Sequence, residues 1–445
     1  MANLLDKASI LLTPTAYNNG SMLSVKPTDG DGDFTFSRNS AATRVNAQGL
    51  VENVQILSGD LVQNGSFSQI GTEEVTNGNF SQEGSELVTN GDFATDSDWS
   101  KGSGWSIGDG VASCDGTQTA TTNFFQSNVI SDQSKTYKVE FTLSNYVSGS
   151  VKSKISNDAQ GANRTANGTY VSYLSGMTNN QLNFTASSDF IGSIDNVSVK
   201  EVGQDWTFSG GAFITDIGAR ITTIPSAGFI STDGYTPLVA GNNYKITYEI
   251  IENISGSLKL DSAVNNVMDT SVGVHTKYFE ADSGSVSIAR AGSSVDVTIT
   301  NISVKEVGQN WTFGDGFTPD QANSKATCDG TQSAVTNLTQ TISTNIQNKL
   351  VRVSFTLDYT AGVLLGSLSG TGAVDFNNIT SSGTYTAEMT SNEVSPPLIL
   401  QGDANFIGSI TNIVLLEITN DTDLPRINYE GFSYDGSGNV VPDSG

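Results

Sequence analysis

Apolar and polar residues alternate strictly in three stretches of the chain. Tyr137, Val139, Phe141 and Leu143 are separated by Lys138, Glu140 and Thr142. Tyr244, Ile246, Tyr248 and Ile250 alternate with Lys245, Thr247 and Glu249, and Val351, Val353, Phe355 and Leu357 follow the same rule. A period of two sends successive side chains to opposite faces, so each stretch predicts a strand with one face in a core and the other in water. A Gly-Ser-apolar step follows each strand, at Gly149-Ser150-Val151, Gly256-Ser257-Leu258 and Gly366-Ser367-Leu368. No long stretch has a period of 3.6. Short strands joined by Gly, Asn, Asp and Ser predict antiparallel sandwiches.

These strands belong to a larger repeat. Val197-Ser-Val-Lys-Glu-Val202 is followed by Gly-Gln-Asp-Trp-Thr-Phe208, and Ile302-Ser-Val-Lys-Glu-Val307 by Gly-Gln-Asn-Trp-Thr-Phe313. Asn196, Asn301 and Asn412 mark the closing phrase of three units, 105 and 111 residues apart. That spacing is domain-sized, so each unit can hold its own core. At the start of the units, Trp105-Ser-Ile-Gly-Asp-Gly110 matches Trp311-Thr-Phe-Gly-Asp-Gly316, with Trp206 as the weaker middle copy. Both Gly-Asp-Gly phrases predict hairpin turns.

The expected architecture is all-β: tandem antiparallel jelly-roll sandwiches at 86–202, 203–307 and 308–419. An N-terminal region precedes them at 1–58, a short connector spans 59–85, and a polar tail covers 420–445. Within the lead-in, Asn64-Gly-Ser-Phe67, Asn77-Gly-Asn-Phe80 and Asn90-Gly-Asp-Phe93 recur every 13 residues. Asn-Gly favours tight turns because both residues tolerate positive φ. The repeat predicts a register of short turns or strands feeding the first sandwich, able to stack around the axis of a trimer.

Composition narrows the function. The 445 residues include 46 glycines, only 15% are charged, and the net charge is −25. An acidic surface repels nucleic acid, which removes DNA and RNA as main partners. No run of 18 apolar residues is present, so no membrane insertion is expected. No apolar segment follows a basic start, so no signal peptide is expected either. The Ser-, Thr- and Asn-rich composition is nevertheless of the kind found on exposed surfaces, and synthesis in a host cytoplasm followed by exposure on a particle surface reconciles the two.

Candidate chemistry is sparse. One histidine, His275, allows neither a repeated Ser-His-Asp triad nor a histidine zinc cluster. Cys114 and Cys328 hold equivalent positions in separate units, which predicts two buried thiols and no intrachain disulfide. The 46 acids leave carboxylate pairs open, but none recurs at a cleft-forming spacing, and no enzyme is expected. No cofactor is expected. Asp29, Asp31 and Asp33 alternate with glycine and leave a structural calcium ion open, yet Ser40 stands where an EF-hand needs glutamate. The sequons at Asn183 and Asn337 follow from composition alone. Trp105, Trp206 and Trp311 occupy one point of the repeat and are expected in the core. Trp99 has no match in the other units and is the candidate exposed platform for a sugar ring.

Leu87-Val-Thr-Asn-Gly-Asp-Phe93, followed by Trp99 and closed by Ile194-Asp-Asn-Val-Ser-Val199, resembles the jelly-roll carbohydrate-binding modules of secreted glycanases. The flanks resemble segments of fibre and other structural proteins of marine bacteriophages: Phe36-Ser-Arg-Asn-Ser-Ala-Ala-Thr-Arg-Val-Asn46 with Gly49-Leu-Val-Glu52, and Leu424-Pro-Arg-Ile-Asn-Tyr429. In that group the Pro-Arg-Ile-Asn/Asp-Tyr phrase leads into a further β-domain, whereas about 16 residues follow it here. The resemblances imply recognition or scaffolding. The expected protein is a bacteriophage virion component, a fibre or capsid-appended spike, with residues 1–58 as its attachment region. Its expected partners are other virion proteins, itself as a homotrimer, and host-surface glycans held at Trp99. The alternative is a non-viral surface adhesin or an array of carbohydrate-binding modules.

Overall fold

The computed structural model describes residues 58–420 apart from 156–158, 224–227, 264–266, 293 and 370–375. Outside that range it describes the strands Ala16–Asn18, Ser21–Leu23, Phe34–Thr35, Ala42–Val45, Val51–Leu57, Phe432–Tyr434 and Val440–Pro442. The triplet Asp29, Asp31 and Asp33 lies outside the described residues. The structure is all-β, and its one helical element among the described residues is a 3-10 turn at Gln321–Asn323. It divides into two units. One comprises residues 69–309 and holds the first two sandwiches; the other comprises 1–68 and 310–445 and holds the third.

Each sandwich has its own core. In the first, one sheet runs Gly168–Leu174, Thr136–Ser148, Ile191–Val202, Val111–Asp115, Trp105–Gly108. The facing sheet runs Val151–Lys154, Leu182–Ala186, Thr122–Gln126, Ser100–Lys101. From Val111 onward, consecutive strands alternate between the sheets, which is the jelly-roll wrap. The third sandwich repeats this order and adds Phe376–Ile379 beside Leu364–Leu368.

The alternating stretches are the central strands Thr136–Ser148, Asn243–Ser255 and Leu350–Ala361. Phe141, Tyr248 and Phe355 are each at most 1% exposed. Beside each central strand runs a long closing strand: Ile191–Val202, Asp296–Val307 and Ile407–Asn420. Asn196, Asn301 and Asn412 interrupt the closing strands with φ of 52°, 51° and 53°. The register slips opposite them, at Glu140/Thr142, Thr247/Glu249 and Ser354/Thr356. An asparagine tolerates this left-handed conformation, so each bulge re-aims the second half of its strand.

Three local expectations change. Gly362, not Gly366, is the third counterpart of Gly149, because added Cβ atoms at both would meet Phe406 and Phe190 Cα at 2.4 Å. Gly108-Asp109-Gly110 makes a hairpin turn between paired strands, whereas 314–316 links Thr312–Phe313 to Phe317–Asp320, which lie in different sheets. Most importantly, 59–85 is not a connector. Its residues complete the second and third sandwiches.

Candidate functional site

The three Asn-Gly-x-Phe phrases dock on three different sandwiches, and we call each docked segment a latch. Residues 60–67 complete the third sandwich, 73–80 the second and 86–93 the first. The order is nested: the phrase that comes first in sequence serves the sandwich that comes last.

The second half of each closing strand has the central strand on one side and would have an open edge on the other. A latch covers that edge. Leu61, Glu74 and Leu87 donate their amides to the carbonyls of Leu415, Val304 and Val199 at 2.8, 2.9 and 3.0 Å. In return, the amides of Ile413, Ile302 and Val197 donate to the carbonyls of Gly65, Gly78 and Gly91 at 3.0, 2.9 and 2.9 Å. The latch thus adds a short strand where the bulge has ended the pairing with the neighbouring strand.

A carboxylate fixes the register. Asp60 Oδ1, Glu73 Oε1 and Glu86 Oε1 accept from the amides of Leu415, Val304 and Val199 at 3.0, 2.7 and 2.8 Å. The glycine then permits close approach. A Cβ on Gly65, Gly78 or Gly91 would sit 1.9, 1.8 or 2.0 Å from the carbonyl oxygen of Ile413, Ile302 or Val197. The chain next turns back, with the amides of Phe67, Phe80 and Phe93 donating to Asn64, Asn77 and Asn90. Each phenylalanine adopts positive φ, between 49° and 58°, which is uncommon for a bulky residue and is held here by burial of the ring.

That ring meets a tryptophan. Phe67 packs on Trp311, Phe80 on Trp206 and Phe93 on Trp99, with centroids 5.3, 5.3 and 5.4 Å apart. The Nε1 groups of Trp311, Trp206 and Trp99 donate to Asn64, Asn77 and Asn90 carbonyls at 3.2, 3.2 and 3.1 Å. Two of the sites add a glutamine bracket. Gln340 accepts from the amide of Gln63 and donates to its carbonyl, and Gln126 treats Thr89 the same way. In the second sandwich the Tyr235 hydroxyl accepts from Thr76 instead.

This places Trp99 differently from the expectation. It is 7% exposed and stacked on Phe124 at 4.8 Å with the ring planes 4° apart. It is the counterpart of Trp206 and Trp311, and its face is covered rather than offered to a sugar. Trp105 pairs with Cys114 as Phe317 pairs with Cys328, so Trp105 corresponds to Phe317. The matching Gly-Asp-Gly phrases had drawn the comparison one strand out of place. The acids Asp60, Glu73 and Glu86 were overlooked. Their signal was present, since each lies four residues before its Asn-Gly.

The remaining candidates are isolated. Cys114 and Cys328 are free and buried, each donating to a glutamine carbonyl, of Gln118 and Gln332. Burial pushes both thiols above their ordinary pKa. His275 lies on the second sandwich, with Nε2 2.6 Å from the Ser271 carbonyl. Burial pushes the Tyr248 hydroxyl beside it up to about 12. Among the described residues, no three His, Cys, Asp or Glu side chains are gathered as a metal site would need. No helix of the described residues is long and apolar enough to cross a membrane. An open hollow of about 540 Å³ on the second sandwich is lined by Phe229, Lys259, Asp261, Ser287 and Arg290, among others.

No protein-family model matches the chain, and no curated protein matches it by sequence. Among solved structures, the N-terminal CBM22-1–CBM22-2 tandem domain of Paenibacillus barcinonensis Xyn10C is 11% identical, over 48% of this chain and 94% of that one, with a TM-score of 0.19. A chain of Sulfolobus Turreted Icosahedral Virus is 13% identical, over 73% of this chain and 91% of that one, also at 0.19. Likenesses this weak decide nothing about function, and the sandwich assignment rests on the strand order and cores of the chain itself.

Proposed function

We propose that the chain is a structural protein of a bacteriophage virion, a fibre or capsid-appended spike without catalytic activity, joined to other virion proteins through its flanks and assembled as a homotrimer. One observation carries this reading. Gln55–Leu57 pair antiparallel with Ile418–Asn420, so both flanks leave the third sandwich from adjacent strands. The phage-like phrases lie in those two flanks. A chain whose two flanks depart from neighbouring strands of one sandwich, with the other sandwiches between them in sequence, is suited to carrying domains on a particle. Deletion of residues 1–50 leaves the Val51–Leu57 strand in place. The expected result is folded sandwiches that no longer join the particle; incorporation at normal copy number would overturn the assignment.

Host-glycan recognition is the second reading, and with Trp99 in the core it moves to the hollow on the second sandwich. Phe229 is half-buried there, beside an ion pair of Lys259 and Asp261 and the guanidinium of Arg290. Apolar surface beside convergent polar groups is what a weak sugar site needs. Glycan-array binding by the intact oligomer that disappears in Arg290→Ala with unchanged folding would support this reading. Binding that survives the substitution would remove the hollow from it.

A further inference from the structure

The three latches present one pattern: an acid, an apolar residue two positions later, Asn-Gly two further on, and Phe at the end. Each groove answers with one set of groups. These are the amide and carbonyl of a closing-strand residue, the amide two residues earlier, a tryptophan N–H and an aromatic wall. The latches differ in the acid, which is Asp60 against Glu73 and Glu86, in the residue after it, Leu61, Glu74 or Leu87, and in the residue before asparagine, Gln63, Thr76 or Thr89. The main-chain bonds, the close approach of the glycine and the Phe–Trp pair are the same in all three, so these shared contacts leave the assignment of each latch to its tether.

We propose that the groove on the third sandwich is a peptide-binding site for the acid-x-Val-x-Asn-Gly-x-Phe segment, and that it accepts this segment from a second copy of the chain. That occupant is the segment already seated in all three grooves, and every contact it makes is non-covalent. The binding mode is strand addition to a sheet edge, in which main-chain hydrogen bonds supply affinity and a side-chain pocket supplies selectivity. The selective elements are the glycine, which no side chain can replace within 1.9 Å of Ile413 oxygen, and Phe67, which is fully buried against Trp311. The third groove is chosen because its latch is tethered to it through the longest run of chain. Asp60 and Leu415 are 355 positions apart, against 113 for Glu86 and Val199. The longer loop lowers the effective concentration of this latch roughly fivefold relative to the first, so the third groove has the weakest loop-closure protection against a competing latch, although Gln55–Leu57 hold its lead-in beside Ile418–Asn420. The peptide site does not depend on the virion reading and survives its failure.

The test uses the full chain with Gly65→Val, which disables its own third latch. Fluorescently labelled peptides covering 58–68, 71–81 and 84–94 are added, and anisotropy is followed. All three should bind Gly65→Val saturably, with cross-links mapping to the region of Trp311 and Ile413. Wild type should bind roughly tenfold less or weaker, its groove being filled by a tethered segment at high effective concentration. A 58–68 peptide carrying Phe67→Ala should bind about 100-fold more weakly or not at all. In a second measurement, Gly65→Val chains, with an empty groove, are mixed with Trp311→Ala chains, with a released latch. Native mass spectrometry should find a 1:1 complex that neither forms alone.

Equal binding to wild type, or no binding to Gly65→Val, would overturn the peptide site. Binding of 58–68 alone would overturn interchangeability. A mixture that stays as separate species would overturn the second-copy partner. Should Gly65→Val not fold, a protease site placed at Gln69 of the otherwise unaltered chain replaces it. After cleavage, displacement of the 1–68 fragment by excess 84–94 peptide supports the proposal, and its retention under saturating peptide refutes it.

Discussion

The indole N–H of Trp311 donates to the carbonyl of Asn64, 3.2 Å away in space and 247 positions away in sequence. The same bond joins Trp206 to Asn77 and Trp99 to Asn90. A tryptophan at the entrance of each sandwich is thus the receiving end of a latch, and its loss should be felt as stability.

Trp99→Ala is expected to destabilise the first sandwich by about 3–5 kcal/mol, since a large buried ring leaves a cavity that Phe124 and Phe93 cannot fill. Denaturant unfolding followed by a probe in this sandwich measures it. A change below about 1 kcal/mol would return Trp99 to the surface.

Phe141→Ala and Phe355→Ala should each cost about 3–5 kcal/mol for the same reason. Phe141 stands edge-on to Phe184 at 5.0 Å, and Phe355 to Phe376 at 5.0 Å. Chemical denaturation of the whole chain should show the two losses in separate transitions, because the residues belong to separate cores.

Gly78→Ala should release the second latch while leaving the sandwiches folded, because its Cβ would overlap the Ile302 oxygen at 1.8 Å. Hydrogen exchange should quicken at Glu74 and Ile302, whose amides bridge latch and sandwich. Gly59→Ala is the control, having nothing within 4 Å of the added atom. Equal exchange in the two variants would contradict the close-approach argument.

Two glutamates of the lead-in should respond to pH with opposite sign. Hydrogen bonds from Lys138 and Lys200 hold Glu83 below the ordinary value of 4.5. Its contribution is therefore complete above 4.5 and disappears as pH falls through its lower folded value. Glu74 is raised above 4.5 by burial, then by the charges of Glu306 and Glu73. Its ionised form opposes folding at neutral pH, and stability is recovered as pH falls through its raised value. Glu83→Gln should weaken the fold at pH 7 and Glu74→Gln should strengthen it, with carboxyl NMR titration confirming both directions. Shifts of the same sign would contradict this account.

How much was legible in the sequence depends on the range of each signal. The central strands were readable because alternation is a local property, and Phe141 and Phe355 fell where it put them. Asn196, Asn301 and Asn412 were visible as a period, but their role as bulges needed the neighbouring strand. The latches were visible as a 13-residue repeat, yet their partners lie in strands that no local pattern connects to them. Trp99 was misread because Trp105-Ser-Ile-Gly-Asp-Gly110 looks more like the start of the third unit than Trp99-Ser-Lys-Gly does. The fold matches tryptophans by the latch they hold rather than by the residues after them.

Nesting also has a consequence for synthesis. On a ribosome the three latches emerge before any groove exists, and they are claimed in reverse order as residues near 199, 304 and 415 appear. Closing the longest of these loops rather than the shortest adds only about 1 kcal/mol of chain entropy, because the penalty grows with the logarithm of length. Equilibrium stability is thus almost indifferent to the arrangement, while its timing is not. The first latch made stays unoccupied until the last strand is complete, so a chain that stops early carries an unspent latch at its front as a mark of its incompleteness.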